Sequence, residues 1–264
     1  MIDATTIDAL AHDHMASQVQ QVARIQAALA ALWDRTMDPA DIDGSFVRFQ
    51  ALADRLIKSA RRRGEIDAQT YYEQVRLLSG YVGDLPEVAS VGAGTRANRA
   101  ALHATGVAAA KRKIAEGAPA EEALVAARAA MLRSAKRRIL EASRQRVLRL
   151  SEADDNARGW ARVSDGRPCY FCAMLVSRGP VYSAATARFQ AHDGCGCSAK
   201  PVFVNDPAKG WSPEARALRS LWDGQDAETG QNGSYDWRAT YARAMSDPRS
   251  EAFRALTGEV ALAA

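Results

Sequence analysis

All four cysteines and one of the four histidines of this 264-residue chain fall between positions 169 and 197. They read Cys169-Tyr-Phe-Cys172, and then, after a long spacer, His192-Asp-Gly-Cys195-Gly-Cys197. Thiolates and an imidazole in a C-x2-C knuckle facing an H-x2-C-x-C cluster are the donor set that a tetrahedral zinc ion takes. Two disulfides, a redox pair, or four idle thiols are the competing readings. Idle cysteines scatter through a chain, and the N-terminus carries no basic segment followed by an apolar run of the kind that leads into oxidising compartments.

Five donors exist for four positions. Cys169 and Cys172 form the secure pair; on the other side stand Cys195 and Cys197, and His192 could replace either of them or sit behind the ligands. Gly196 reads as relief of backbone strain between close cysteines. A catalytic zinc keeps one position for water and needs a general base. Glutamate is absent from 169–197 and Asp193 is the one carboxylate there, so a closed structural site is the expectation and no catalytic residue is assigned.

These residues need elements to carry them. Met15, Val19, Val22, Ile25, Leu29 and Leu32 recur at helical spacing and predict one long amphipathic helix from about Ala4 to Trp33. Phe46, Phe49, Leu52, Leu56 and Ile57 mark a second, ending near Arg63-Gly64, and a third runs from about Ala68 to Leu78. Gly80, Gly83, Pro86, Gly92 and Gly94 punctuate a flexible connection, the candidate hinge. The longest helix is expected to start at Pro119 and run to about Ser151. Beyond Asn156, Trp160–Val163, Pro180–Ser183 and Pro201–Val204 read as short strands, with Met174, Leu175 and Val176 a helical turn over the site. Such a sheet is too small to be stable unaided, and a metal crosslink supplies what its core lacks. The fold class is mainly α: long N-terminal helices, a small zinc-stabilised α+β unit, and a loop-rich tail with one or two short helices. The corresponding divisions are 1–155, 156–206 and 207–264.

Net charge is +4, but it is unevenly spread. Eleven cations between Ala108 and Leu150, among them Lys111, Arg112, Lys113, Lys136, Arg137 and Arg138, face four glutamates. Those six are candidate contacts to a nucleic-acid backbone; the alternative is the solvated face of long helices. No apolar stretch has the length of a membrane span, which points to a soluble protein made inside the cell.

The segment Pro168 to Tyr182, with His192 to Cys197 and Pro201-Val-Phe203, resembles the C-terminal signature of the MuF-like phage minor head proteins of the actinobacteriophage type. The resemblance is specific from about Trp160 to Val204; upstream it is one of helix content. It implies a head-morphogenesis protein made in the bacterial host cytoplasm and held inside the phage head. Its implied partners are the portal protein, the major capsid or scaffold protein and packaged DNA, and Cys169, Cys172, His192, Cys195 and Cys197 are the carried-over positions. Similar chains are also described as capsid maturation proteases, the second reading. A histidine-dependent protease would have to use His12, His14 or His103, since His192 belongs to the cysteine cluster, and no G-x-S-x-G elbow is present. A Ser-Lys dyad stays open. A zinc-dependent nucleic-acid-binding protein of host or phage is the third reading.

Overall fold

The computed structural model describes residues 4–182, 188–206, 208–226 and 229–258. It is mainly helical with a single two-stranded sheet among the described residues. Helix α1 (Ala4–Thr36) buries Ile7, Ala11, Met15, Val22, Leu29 and Leu32 along one face. It stops just before Asp38-Pro39, because proline disfavours the helical conformation in the residue before it.

Helix α2 (Ile42–Leu78) starts on Asp41, whose carboxylate accepts the Gly44 amide at 3.0 Å. The break expected at Arg63-Gly64, with a third helix after it, does not occur: α2 is one helix of 37 residues and the longest of the described elements. Glycine inside a helix costs about 1 kcal/mol relative to alanine, but here its missing side chain is what the packing uses. A Cβ on Gly64 would stand 3.1 Å from Gln18 Oε1 and 3.8 Å from Ser143 Cβ. The basic residues around it are not helix-end charges either. Arg63 pairs with Asp67 one turn on (2.9 Å), and buried Arg61 donates to the Arg138 carbonyl.

The glycine-rich connection after α2 has neither helix nor strand, yet it is a strap, not a loose hinge. Arg146 donates to the Val88 carbonyl (3.1 Å), and Arg149 to those of Ala89 (3.0 Å) and Ser90 (2.9 Å). Glu65 accepts the Val91 amide (2.7 Å) and the Ser90 hydroxyl (3.0 Å). Side chains thus satisfy backbone groups that no ladder reaches.

Helices α3 (Thr95–Thr105) and α4 (Val107–Ala115) turn at Gly106 and lead to α5 (Ala120–Ala153), with Pro119 as its N-cap. Leu29, Phe49, Ile57, Leu102, Met131 and Ile139 belong to the core shared by these helices.

Strand β1 (Ala157–Val163) pairs antiparallel with β2 (Ser198–Phe203), with Trp160 opposite Pro201. Of the third expected strand, Tyr182 makes one isolated bridge to Trp160, while Ser183 lies outside the described residues. The sheet packs Trp160, Val163 and Phe203 against Tyr72, Val147 and Leu150 of the bundle. Helix α6 (Tyr170–Ser177) follows β1, and among the described residues three short helices follow β2, one more than the upper expectation: α7 (Pro213–Asp223), α8 (Trp237–Ser246) and α9 (Glu251–Thr257). Helices α7 and α8 pack on α6 and α9 packs on those two; Ala173 and Val176 share a buried cluster with Leu218, Trp237, Tyr241 and Leu256. Among the described residues no helix is long and apolar enough to cross a membrane.

Candidate metal centre

Cys169 is the N-cap of α6, and its sulfur accepts the Cys172 amide at 3.5 Å, so the knuckle is also the start of a helix. Tyr241 Oη donates to the Pro168 carbonyl and Trp237 Nε1 to the Tyr170 carbonyl, each at 2.6 Å, which pins that start from the tail side. The opposite donors lie on the loop entering β2, where the Cys195 amide donates to the His192 carbonyl at 3.1 Å. Gly194 holds a left-handed φ of 89°. Gly196 does not; it is needed for space, since a Cβ there would lie 2.0 Å from Asp165 Oδ2.

All five sequence-predicted donors converge. His192 Nε2 lies 3.1 Å from Cys169 Sγ and 3.4 Å from Cys172 Sγ, and Cys172 Sγ lies 3.7 Å from Cys195 Sγ. Two triads share Cys172: Cys169–Cys172–His192 and Cys172–Cys195–Cys197, with the donor atoms of each within 4.8 Å of one another. Ligands about 2.0–2.3 Å from a tetrahedral zinc stand about 3.5–3.8 Å apart, so the spacing suits such an ion. The four cysteines are unpaired, and 3.7 Å is far beyond the roughly 2.05 Å of a disulfide. His192 Nδ1 donates to the Asp193 carbonyl at 3.0 Å, which turns the Nε2 lone pair toward the sulfurs. Cys172, Cys195 and Cys197 are buried, Cys169 is half-buried and His192 is exposed.

One sulfur of the cluster, that of Cys195, is poised to hold negative charge. Hydrogen bonds from Cys172 and Cys197, with Arg144 and Arg162 behind them, hold the Cys195 thiol far below its ordinary range. Donating to Cys195 pushes Cys172 up in turn. Cys197, although a hydrogen bond from Cys172 favours its thiolate, is pushed up to about 12 by Cys195 and by burial. Sequence spacing missed the arginines. Arg144 was one of eleven similar cations, and nothing local marks it as the one that turns inward to donate to the Cys197 and Cys195 carbonyls at 2.8 and 2.9 Å. Arg162 lies on β1, its guanidinium 3.8 Å from the centre of the Phe189 ring, with that of Arg144 at 4.8 Å.

The six candidate nucleic-acid contacts occupy two places. On α4, Lys111 pairs with Asp43 (2.7 Å), while Arg112 and Lys113 are exposed with no ion pair among the described residues. On α5, Lys136 lies 3.9 Å from Asp165, Arg137 2.7 Å from Asp193, and Arg138 2.6 Å from Glu141.

Of the remaining histidines, His12 joins α1 to α7. Its Nε2 lies 3.0 Å from Glu214, and that hydrogen bond, reinforced by the Asp8 carbonyl, pushes its pKa up to about 9. Buried His14 stacks on Tyr71 at 4.2 Å and lies 3.2 Å from Ser143 Oγ; desolvation holds it down at about 4. His103 meets the Phe46 ring edge-on.

The model of the VG15 protein family matches residues 1–223, from α1 through the cysteine cluster to the end of α7. The chain is also similar to the Gene 15 protein of Mycobacterium phage D29, with 31% identity over 28% of this chain and 38% of that protein. The matched part therefore spans well under half of that relative's length. No solved structure matches the chain.

Proposed function

The chain belongs to the VG15 protein family, and from that premise we propose that it is a virion protein of a tailed phage, a minor head-morphogenesis protein of the MuF-like kind whose C-terminal unit is closed by one structural zinc ion. The observation that carries the reading is the convergence of Cys169, Cys172, His192, Cys195 and Cys197. Four of these five would hold the ion and the fifth would pack behind it. The two nearby carboxylates face cations, Asp165 toward Lys136 and Asp193 toward Arg137, which leaves neither placed as the base of an open catalytic site. Zinc here supplies a crosslink between the start of α6 and the loop entering β2. The likeness of residues 168–203 to the MuF-like signature supports the head assignment, and the mycobacteriophage relative supports a phage origin. Portal protein, major capsid or scaffold protein and packaged DNA are the partners of that role, and the head interior is its place.

Two measurements test it. Metal analysis of the purified, reduced chain should give about one zinc per chain, and none would remove the zinc. Quantitative mass spectrometry of phage particles should find the chain at few copies per head, co-purifying with the portal; absence from particles at every stage of assembly would remove the head assignment.

The protease alternative has one observation on its side, the His14–Ser143 pair at 3.2 Å. Ser143 is 2% exposed, however, and His14 is covered by Tyr71. A scissile carbonyl has no approach to such a hydroxyl, and we read the pair as packing between α1 and α5. His14→Ala should leave processing of the major capsid protein unchanged; loss of processing with fold and zinc retained would reinstate the protease.

A further inference from the structure

Helix α5 reaches into the metal cluster. Arg144 is 3% exposed and its guanidinium forks onto the ligand loop, Nε donating to Cys197 O at 2.8 Å and Nη2 to Cys195 O at 2.9 Å. The same Nη2 lies 3.7 Å from Cys195 Sγ. Two and three turns earlier, the helix grips that loop again: Arg137 pairs with Asp193 at 2.7 Å, and the Arg133 carbonyl accepts the Gly194 amide at 3.0 Å.

A buried guanidinium is tolerated when an opposite charge compensates it. Neither Arg144 nor its neighbour Arg162 has an ion pair with a carboxylate among the described residues; Arg162 donates to the Gln190 carbonyl. The anions at hand are the cluster sulfurs, which a bound metal keeps deprotonated. We infer that Arg144 is a positioning residue of the metal centre. It holds the Cys195–Cys197 loop and the sulfur of Cys195 in place for the metal, so that metal loading and docking of this loop on α5 are one event. The inference rests on the zinc reading above and adds to it a specific partner from the helical bundle.

The test uses the full-length zinc protein. Transfer of zinc to a chromophoric chelator should be about 10- to 100-fold faster in Arg144→Met, the usual effect of removing a group that orients metal ligands. Arg144→Lys should fall between, because lysine restores the charge but not the planar fork. With cobalt in place of zinc, the thiolate-to-metal absorption band should shift in Arg144→Met. It should stay put in Arg61→Met, which removes a buried guanidinium from the bundle side of α5. In the unmutated protein, chelation should raise hydrogen exchange in residues 133–144 as well as in 192–197.

Unchanged release and an unmoved band in Arg144→Met, with one zinc bound to the unmutated chain, overturn this inference alone. An unmutated chain that binds neither zinc nor cobalt overturns the zinc reading and this inference with it. Should Arg144→Met fail to fold, the exchange experiment decides: α5 protection indifferent to chelation refutes the coupling.

Discussion

On the zinc reading proposed above, the helical bundle and the region around the cysteines are stabilised in opposite ways. The bundle spreads its stability over many apolar side chains, such as Leu29, Phe49, Ile57 and Met131, on helices of 33 to 37 residues. The cysteine unit has two strands of seven and six residues, and one of its small buried clusters consists of Cys172, Cys195 and Cys197. Even its buried strand β2 includes Lys200, bonded to Asp8 of α1 at 2.5 Å. Stability drawn from area degrades gradually on mutation; stability drawn from a crosslink is lost at a few atoms.

Cys172→Ser should therefore have the largest effect, since Cys172 belongs to both triads. It should abolish zinc binding, with an apparent binding free energy on the order of 10 kcal/mol at neutral pH. Limited proteolysis should then cut within residues 157–206 while α1, α2 and α5 stay protected. Simultaneous loss of all protection would erase the contrast and make the shared packing of Trp160 and Phe203 on Tyr72 the dominant link. Phe49→Ala is the converse, costing about 3–5 kcal/mol in denaturant unfolding with zinc content unchanged.

Two histidines sharpen the comparison through pH. His14, inside the bundle, is held neutral at about 4. Below its unfolded value near 6.5 the unfolded chain binds a proton that the folded chain refuses, so stability should fall from pH 6.5 toward 4, by roughly 3 kcal/mol in all. His14→Gln should remove that part of the acid slope. His12 joins the bundle to α7 with its pKa raised to about 9. Its contribution is complete below about 6.5 and is lost as pH rises through 9. His12 is half-exposed, so solvent screening limits the contribution to about 1 kcal/mol. His12→Gln should flatten the alkaline slope of denaturant midpoints; an unchanged slope would mean that Glu214 gains nothing from the imidazolium.

What the sequence made legible divides along the same line. Donor chemistry is local, so the five metal candidates, the knuckle and the turn after it could be read from spacing alone. Helical periodicity likewise located α1 and α5. Gly64 misled because its effect on a lone helix is destabilising, whereas its use arises only when α1 and α5 pack beside it. The strap and Arg144 were hidden for a related reason. Arginine on a helix reads as solvated charge until the tertiary fold presents it with carbonyls, as it does for Arg144, Arg146 and Arg149.

That ambiguity sets the smallest expected effect on stability. Arg112 and Lys113 have no ion pair among the described residues and meet only the dipole of the last turn of α4, so charge reversal of both to Glu should lower unfolding free energy by only about 0.5–1 kcal/mol. If α4 meets packaged DNA, the same change should weaken binding on all sequences alike and reduce the salt dependence by about one phosphate contact per residue. Reversing Lys136, Arg137 and Arg138 instead sets like charges against Asp165, Asp193 and Glu141. That should loosen the cysteine loop and speed zinc release, making any loss of DNA binding secondary to the centre. A triple reversal that lowered DNA affinity with zinc release unchanged would show instead that this face of α5 serves the nucleic acid directly. Two groups of basic residues that look equivalent in sequence are thus separated by which property fails first, the salt-dependent binding or the metal.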